Sequence, residues 1–190
     1  MVLFADDTSI LITHSNKFDF NININKTFLD INTWFKDNLT SMNFNKTQYL
    51  EFRTKHYCNV NTEIKYNQKC KTVVTTTKFL GLVIDDTLFW KQHIDQVVSK
   101  MCAACCAIQN IKFLVSHGTL RIIYFTHIHS ILRYGIIFWG NSSYSYKVFI
   151  LQKIIRIITN TGTRDSCREL FKDMTILPMY SQYIRGTFLK

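Results

Sequence analysis

Two adjacent carboxylates, Asp6 and Asp7, stand between the apolar runs Met1-Val2-Leu3 and Ile10-Leu11-Ile12. Strand-like segments on either side put the pair at a hairpin tip, where fixed negative charge and hard oxygen donors could hold a divalent cation. The alternative is a solvated turn. The triplet Asp-Asp-Thr recurs at Asp85-Asp86-Thr87, just ahead of Leu88 and Trp90. There a turn or helix cap is the better account, because a helical pattern follows at once.

Other residues capable of chemistry fare less well. Cys102-x-x-Cys105-Cys106 has the spacing of half a zinc site, but no second ligand pair stands at a suitable interval, and His93 and His117 are isolated. Met101, Ala103, Ala104, Ala107 and Ile108 surround these cysteines, which reads as a packed helix face. His93 and His127 lack a partner that would make either a catalytic base.

The elements that position these groups follow from periodicity. Val2–Ala5 and Thr8–Thr13 read as strands hinged at Asp6-Asp7. Phe20, Ile24, Phe28, Ile31 and Phe35 recur at helical spacing and predict an amphipathic helix ending near Asn38. Asn43–Lys46 reads as a turn, Gln48–Phe52 as a strand and Tyr57–Thr77 as a small hairpin. Phe79–Ile84 reads as one strand closed by Asp85-Asp86. From Trp90 the period becomes helical. One face carries Ile94, Val97, Met101, Cys105, Ile108 and Ile111. A second carries Leu120, Ile123, Tyr124, His127, Ile128 and Ile131; a third carries Val148, Leu151, Ile154, Ile155 and Ile158. Ser166-x-x-Glu169 is a candidate capping box, and Pro178 suits the first turn of a last helix. The fold class is therefore α+β, with a mixed lobe over residues 1–88 and a helical lobe over 89–190.

Charge is the informative bulk property. Twenty-three Lys and Arg against 13 Asp and Glu leave a net +10, which suits a polyanionic partner, nucleic acid ahead of an anionic membrane, and equally an unspecialised basic surface. The helical lobe holds Lys91, Lys100, Lys112, Arg121, Arg133, Lys147, Lys153 and Arg156. Facing one way, they would track phosphates without reading sequence; otherwise they are a solvated surface. No segment reads as a signal peptide and no apolar run is long enough to span a bilayer. The expectation is an intracellular protein, nuclear or cytoplasmic, not secreted, with reduced cysteines and no membrane partner.

Taken in order, these segments resemble the rear half of the reverse transcriptase encoded by non-LTR retrotransposons of the jockey type. Phe4-Ala5-Asp6-Asp7-Thr8 is similar to the aromatic-x-Asp-Asp hairpin of the palm. Trp34, Asn38-Leu39, Met42-Asn43 and Asn45-Lys46-Thr47 resemble the helix and Lys-Thr turn behind it. Lys78–Asp85, followed by Leu88-x-Trp90-x-x-His93-Ile94, resembles the Leu-Gly strand leading into the thumb; Leu132-Arg133-Tyr134-Gly135 with Trp139, and Leu151-Gln152-Lys153 with Arg156, resemble patterns downstream. The resemblance implies a partial polymerase palm, antiparallel hairpins plus a helix, followed by a thumb-like helical lobe. It implies two-Mg²⁺ nucleotidyl transfer on an RNA template or RNA–DNA duplex. Asp6 would be the principal metal ligand and Asp7 its neighbour; Lys46 would lie near the triphosphate and donate a proton to pyrophosphate. Gly81 would admit the primer backbone; separately, the basic share of the helical lobe makes Lys91, Lys100 and Lys112 candidates for nucleic-acid contact. The family carries fingers and the front of the palm, including another metal-binding aspartate, ahead of this hairpin. The chain is therefore expected to be a fragment, inactive alone. Two further readings are a non-catalytic nucleic-acid-binding remnant and a module completing a split polymerase.

Overall fold

Short alternating segments give β-ribbons early in the chain and helical periods dominate later, so the whole is α+β and mostly helical. The computed structural model describes residues 2–4, 7–13, 17–54, 64–66 and 69–188, and the chain divides into two units, Met1–Thr77 and Lys78–Lys190.

In the first unit, β1 (Val2–Phe4) and β2 (Asp7–Ser9) pair antiparallel, Val2 opposite Ser9 and Phe4 opposite Asp7. Helix α1 (Lys17–Asp37) buries Ile24 and Phe28, with Ile12, Phe20, Met42, Phe44 and Tyr49 packed around them. Phe28 meets the Phe44 ring edge-on at 5.9 Å. The helix stops where the sequence predicts: the Asn38 side chain donates to the Trp34 carbonyl at 2.8 Å, and Leu39 turns left-handed at φ 54°. The turn after it is built on Asn43, whose side chain accepts from the Lys46 N–H at 3.1 Å. The strand expected over Gln48–Phe52 does not form; among the described residues it is reduced to one parallel bridge, Leu50 to Val74. The expected hairpin is present as β3 (Ile64–Tyr66) against β4 (Lys69–Lys71).

The segment Phe79–Ile84 is a hairpin rather than one strand. Strands β5 (Thr76–Phe79) and β6 (Leu82–Asp85) flank Leu80 at φ 45° and Gly81 at φ 81°. Two successive left-handed residues are what a tight two-residue hairpin turn requires. Leu82 and Val83 are buried, Leu82 in the core of the helical unit, so the division at Thr77 falls before the Leu-Gly segment instead of after it.

Helix α2 (Lys91–Ile111) buries Ile94, Val97, Met101, Ala104, Cys105 and Ile108, the expected face. Of the clustered cysteines only Cys105 belongs to this core; Cys102 and Cys106 face solvent. Burial pushes the Cys105 thiol up against the opposing pull of Lys153. Helix α3 (His117–Ile123) continues through a π-helical turn (Tyr124–Ile128) into α4 (His129–Arg133). Residues four apart drift by roughly 40° per step in a pure α-helix. The wider π turn holds Leu120, Tyr124, Ile128 and Leu132 on the buried side. His127, expected on that face, is exposed.

The short α5 (Ile136–Trp139) and a 3₁₀ turn (Ser145–Phe149) lead to α6 (Ile150–Thr159), whose buried Leu151, Ile154, Ile155 and Ile158 pack with α2. Helix α7 (Cys167–Asp173) is capped at Ser166, whose hydroxyl accepts from the Arg168 N–H at 3.4 Å. The reciprocal half of the capping box is missing, because Glu169 pairs with Lys172 at 3.0 Å. Helix α8 (Met179–Phe188) starts after Pro178. No helix among the described residues is long and apolar enough to cross a membrane.

Candidate functional site

Asp7 opens β2, with Phe4 as its backbone partner across the ribbon. Asp6 lies outside the described residues. Aspartate carboxylates are oxygen donors of the class Mg²⁺ prefers. The described residues contain no group of three or more His, Cys, Asp or Glu placed to hold a metal. Lys46 is exposed on the Asn43 turn, also in the first unit.

Gly81 sits in the second unit, at a junction of three sequence motifs. A Cβ added to it would stand 3.3 Å from the Tyr134 ring, and the Tyr134 hydroxyl donates to the Leu80 carbonyl. Gly135, left-handed at φ 62°, lies against Leu82; a Cβ there would come within 2.6 Å of a Leu82 methyl. The Trp139 indole donates to the Tyr134 carbonyl at 3.0 Å. From α2, the His93 Nδ1 accepts from the Val83 N–H at 3.3 Å, and its ring lies 5.9 Å from that of Trp139. Gly81 thus has a structural role, a positive φ beneath an aromatic cover, whatever else approaches it.

The second Asp-Asp-Thr triplet completes the junction. One Asp85 oxygen accepts from the Thr87 hydroxyl at 2.7 Å and the Phe89 N–H at 2.9 Å, and the other from the Trp90 N–H at 2.6 Å. These bonds hold Leu88 and Trp90 left-handed ahead of α2. Burial raises the Asp85 pKa, but the hydrogen bonds from Thr87, Phe89 and Trp90 outweigh it and hold the carboxyl below its ordinary range. The triplet is a turn and a helix lead-in, as the sequence predicts.

The α2 lysines are not gathered on one stripe. At roughly 100° per residue, Lys91 and Lys100 fall on opposite sides of the helix. Lys112 follows the far end, on the order of 30 Å from Lys91. Lys91 and Lys147 flank the Tyr144 ring at 5.8 and 5.5 Å, and Lys147 pairs with Asp95 at 2.5 Å. Lys112 bonds Asn160 at 3.1 Å and covers Phe113 at 4.6 Å. Arg121 donates to the Met174 carbonyl at 3.1 Å, and Arg156 to that of Asp165 at the same distance. Half of the expected phosphate-tracking set therefore commits at least one donor within the fold.

Sequence reasoning missed Tyr134 as an organiser and gave His93 no role, though it read the Asp85 triplet as a turn or cap. A signal was present for the first: an aromatic followed by glycine inside a helical stretch marks a left-handed break. Compared with protein families, curated proteins and solved structures, the chain finds a match in none of the three.

Proposed function

We propose that the chain is part of an RNA-directed DNA polymerase of the non-LTR retrotransposon kind, the rear of a palm joined to a thumb-like helical unit. The observation that carries this reading is the β1–β2 ribbon, whose register sets Phe4 opposite Asp7. An acidic ribbon of this kind suits a metal-dependent nucleotidyl transfer. Bound Mg²⁺ would supply charge neutralisation at phosphate and activation of a 3′-hydroxyl. The chain's own contribution would be two carboxylates to hold the ion and Lys46 as a proton donor to pyrophosphate.

The 190 residues by themselves are expected not to extend a primed RNA template, since two carboxylates without a third hold Mg²⁺ weakly. The in-frame sequence preceding Met1 tests the assignment. A continuation encoding fingers and an aspartate-bearing palm strand supports it. Stop codons there turn the balance to the second reading.

That second reading, a non-catalytic nucleic-acid binder, draws on the charge of the helical unit: fourteen Lys and Arg against six Asp and Glu in Lys78–Lys190, compared with nine against seven before it. Affinity for an RNA–DNA duplex should then fall as salt rises, with a log–log slope proportional to the phosphates neutralised. A flat slope removes the basis of this reading.

A further inference from the structure

We propose that His93 is an acid-sensitive latch that fastens the Leu-Gly hairpin to helix α2, and that it closes only with a neutral imidazole. The proposal is independent of any polymerase ancestry. His93 is 5% exposed, and its Nδ1 accepts the Val83 backbone N–H at 3.3 Å. A ring nitrogen that accepts carries no proton, so the neutral ring must carry its hydrogen on Nε2. Nε2 is itself buried with no partner.

Protonation would turn Nδ1 into a donor facing the Val83 N–H, and two donors cannot bond each other. The same bond joins two segments that the sequence separates: β6 through Val83, and α2 through His93. The surroundings offer the cation no free carboxylate. Trp90 and Trp139 face the ring at 6.0 and 5.9 Å without a formal charge. The Asp85 carboxylate on β6 is committed to Thr87, Phe89 and Trp90. Lys100, on α2, adds positive charge. Burial first and Lys100 second depress the His93 pKa below that of a free imidazole.

The sign follows by linkage. The unfolded chain binds the proton more readily, so the latch contributes fully above the ordinary imidazole range and is lost as pH falls through the depressed folded value. His129, on α4, is shifted the same way by burial and by Arg133 and Arg185. Global stability would sum the two, whereas the Val83 amide isolates His93.

The test is residue-resolved NMR on the full chain between pH 7.5 and 5. His93 ring resonances are expected to titrate below the ordinary imidazole range. Val83 amide exchange protection, corrected for intrinsic rate, should fall roughly fivefold more than that of β6 neighbours, on the order of one net hydrogen bond. His93→Asn, which offers an amide oxygen near the Nδ1 position, should retain Val83 protection and lose its pH dependence. Titration of His93 at or above the ordinary imidazole range would overturn the latch, and so would Val83 protection with the same pH dependence in His93→Asn. Should that variant fail to fold, the wild-type titration decides alone.

Discussion

The two units of the chain put the same residue types to different uses. Lys78–Lys190 has one continuous core running from Leu82 to Met179, and carries most of the basic excess. Among the described residues of Met1–Thr77, the buried apolar core is Ile24 and Phe28 with partly buried neighbours. The strands there form two-stranded ribbons, which are marginal in water without further packing. Candidate chemistry therefore sits in the thinner unit, and stability and charge in the denser one. Substitutions should be able to damage one while sparing the other.

The largest effect expected is on the dense unit. Trp139→Ala removes a fully buried ring and orphans the Tyr134 carbonyl, which should cost about 3–5 kcal/mol. Trp34→Ala in the first unit, where the side chain is half exposed, should cost less than about 1 kcal/mol. Urea denaturation followed by far-ultraviolet circular dichroism compares them; equal losses would break the contrast.

The acidic pair at the hairpin end comes next. Asp85→Ala should destabilise by about 2–3 kcal/mol, because several N–H and O–H donors lose a charged acceptor. Asp86→Ala should change stability by about 0.5 kcal/mol or less. The Asp85 contribution has a pH signature. Its folded pKa is depressed, so the stabilisation is complete above the ordinary carboxylate range and is lost as pH falls through the lowered folded value. Denaturation midpoints measured down an acid series should converge for wild type and Asp85→Ala; a constant gap would contradict this.

Glycines sharpen the contrast within the helical unit. Gly135→Ala drives a Cβ into Leu82 at a left-handed position and should cost about 1–3 kcal/mol. Gly118→Ala meets nothing nearer than the Ser116 hydroxyl at 3.8 Å and should stay within about 0.5 kcal/mol. Thermal melts resolve that difference. The smallest effect is on binding: in a pure binder, Asp6→Ala and Asp7→Ala should leave duplex affinity within about twofold, since a carboxylate neutralises no phosphate. A larger loss in a fluorescence-anisotropy titration would place the ribbon in the binding surface.

Much of the fold was legible because burial imposes periodicity. The faces of α1, α2 and α6 could be read residue by residue from spacing, since a helix one side of which is buried must repeat apolar residues every three or four positions. Misreadings arose where local backbone state, rather than pattern, decides. Phe79–Ile84 is apolar enough for a strand, yet Leu80 and Gly81 adopt left-handed φ and reverse the chain. Ser166-x-x-Glu169 has the letters of a capping box, but Lys172 lies one turn on and takes the carboxylate. The α2 lysines were named as a set from composition, and helical geometry separates Lys91 from Lys100. The candidate metal ribbon was legible as two strands around an acidic pair, with Asp7 lying inside the second strand instead of at the hinge.

Sequence alone determined most of the helical segments and their buried faces, the basic balance, and the turn at Asp85-Asp86-Thr87, because each depends on residues close along the chain. Tertiary structure decided which of those segments lock together. Tyr134 closes over Gly81, Gly135 yields space to Leu82, and His93 accepts from Val83. Contacts between residues up to some fifty positions apart depend on how helices pack, and no local spacing encodes that arrangement.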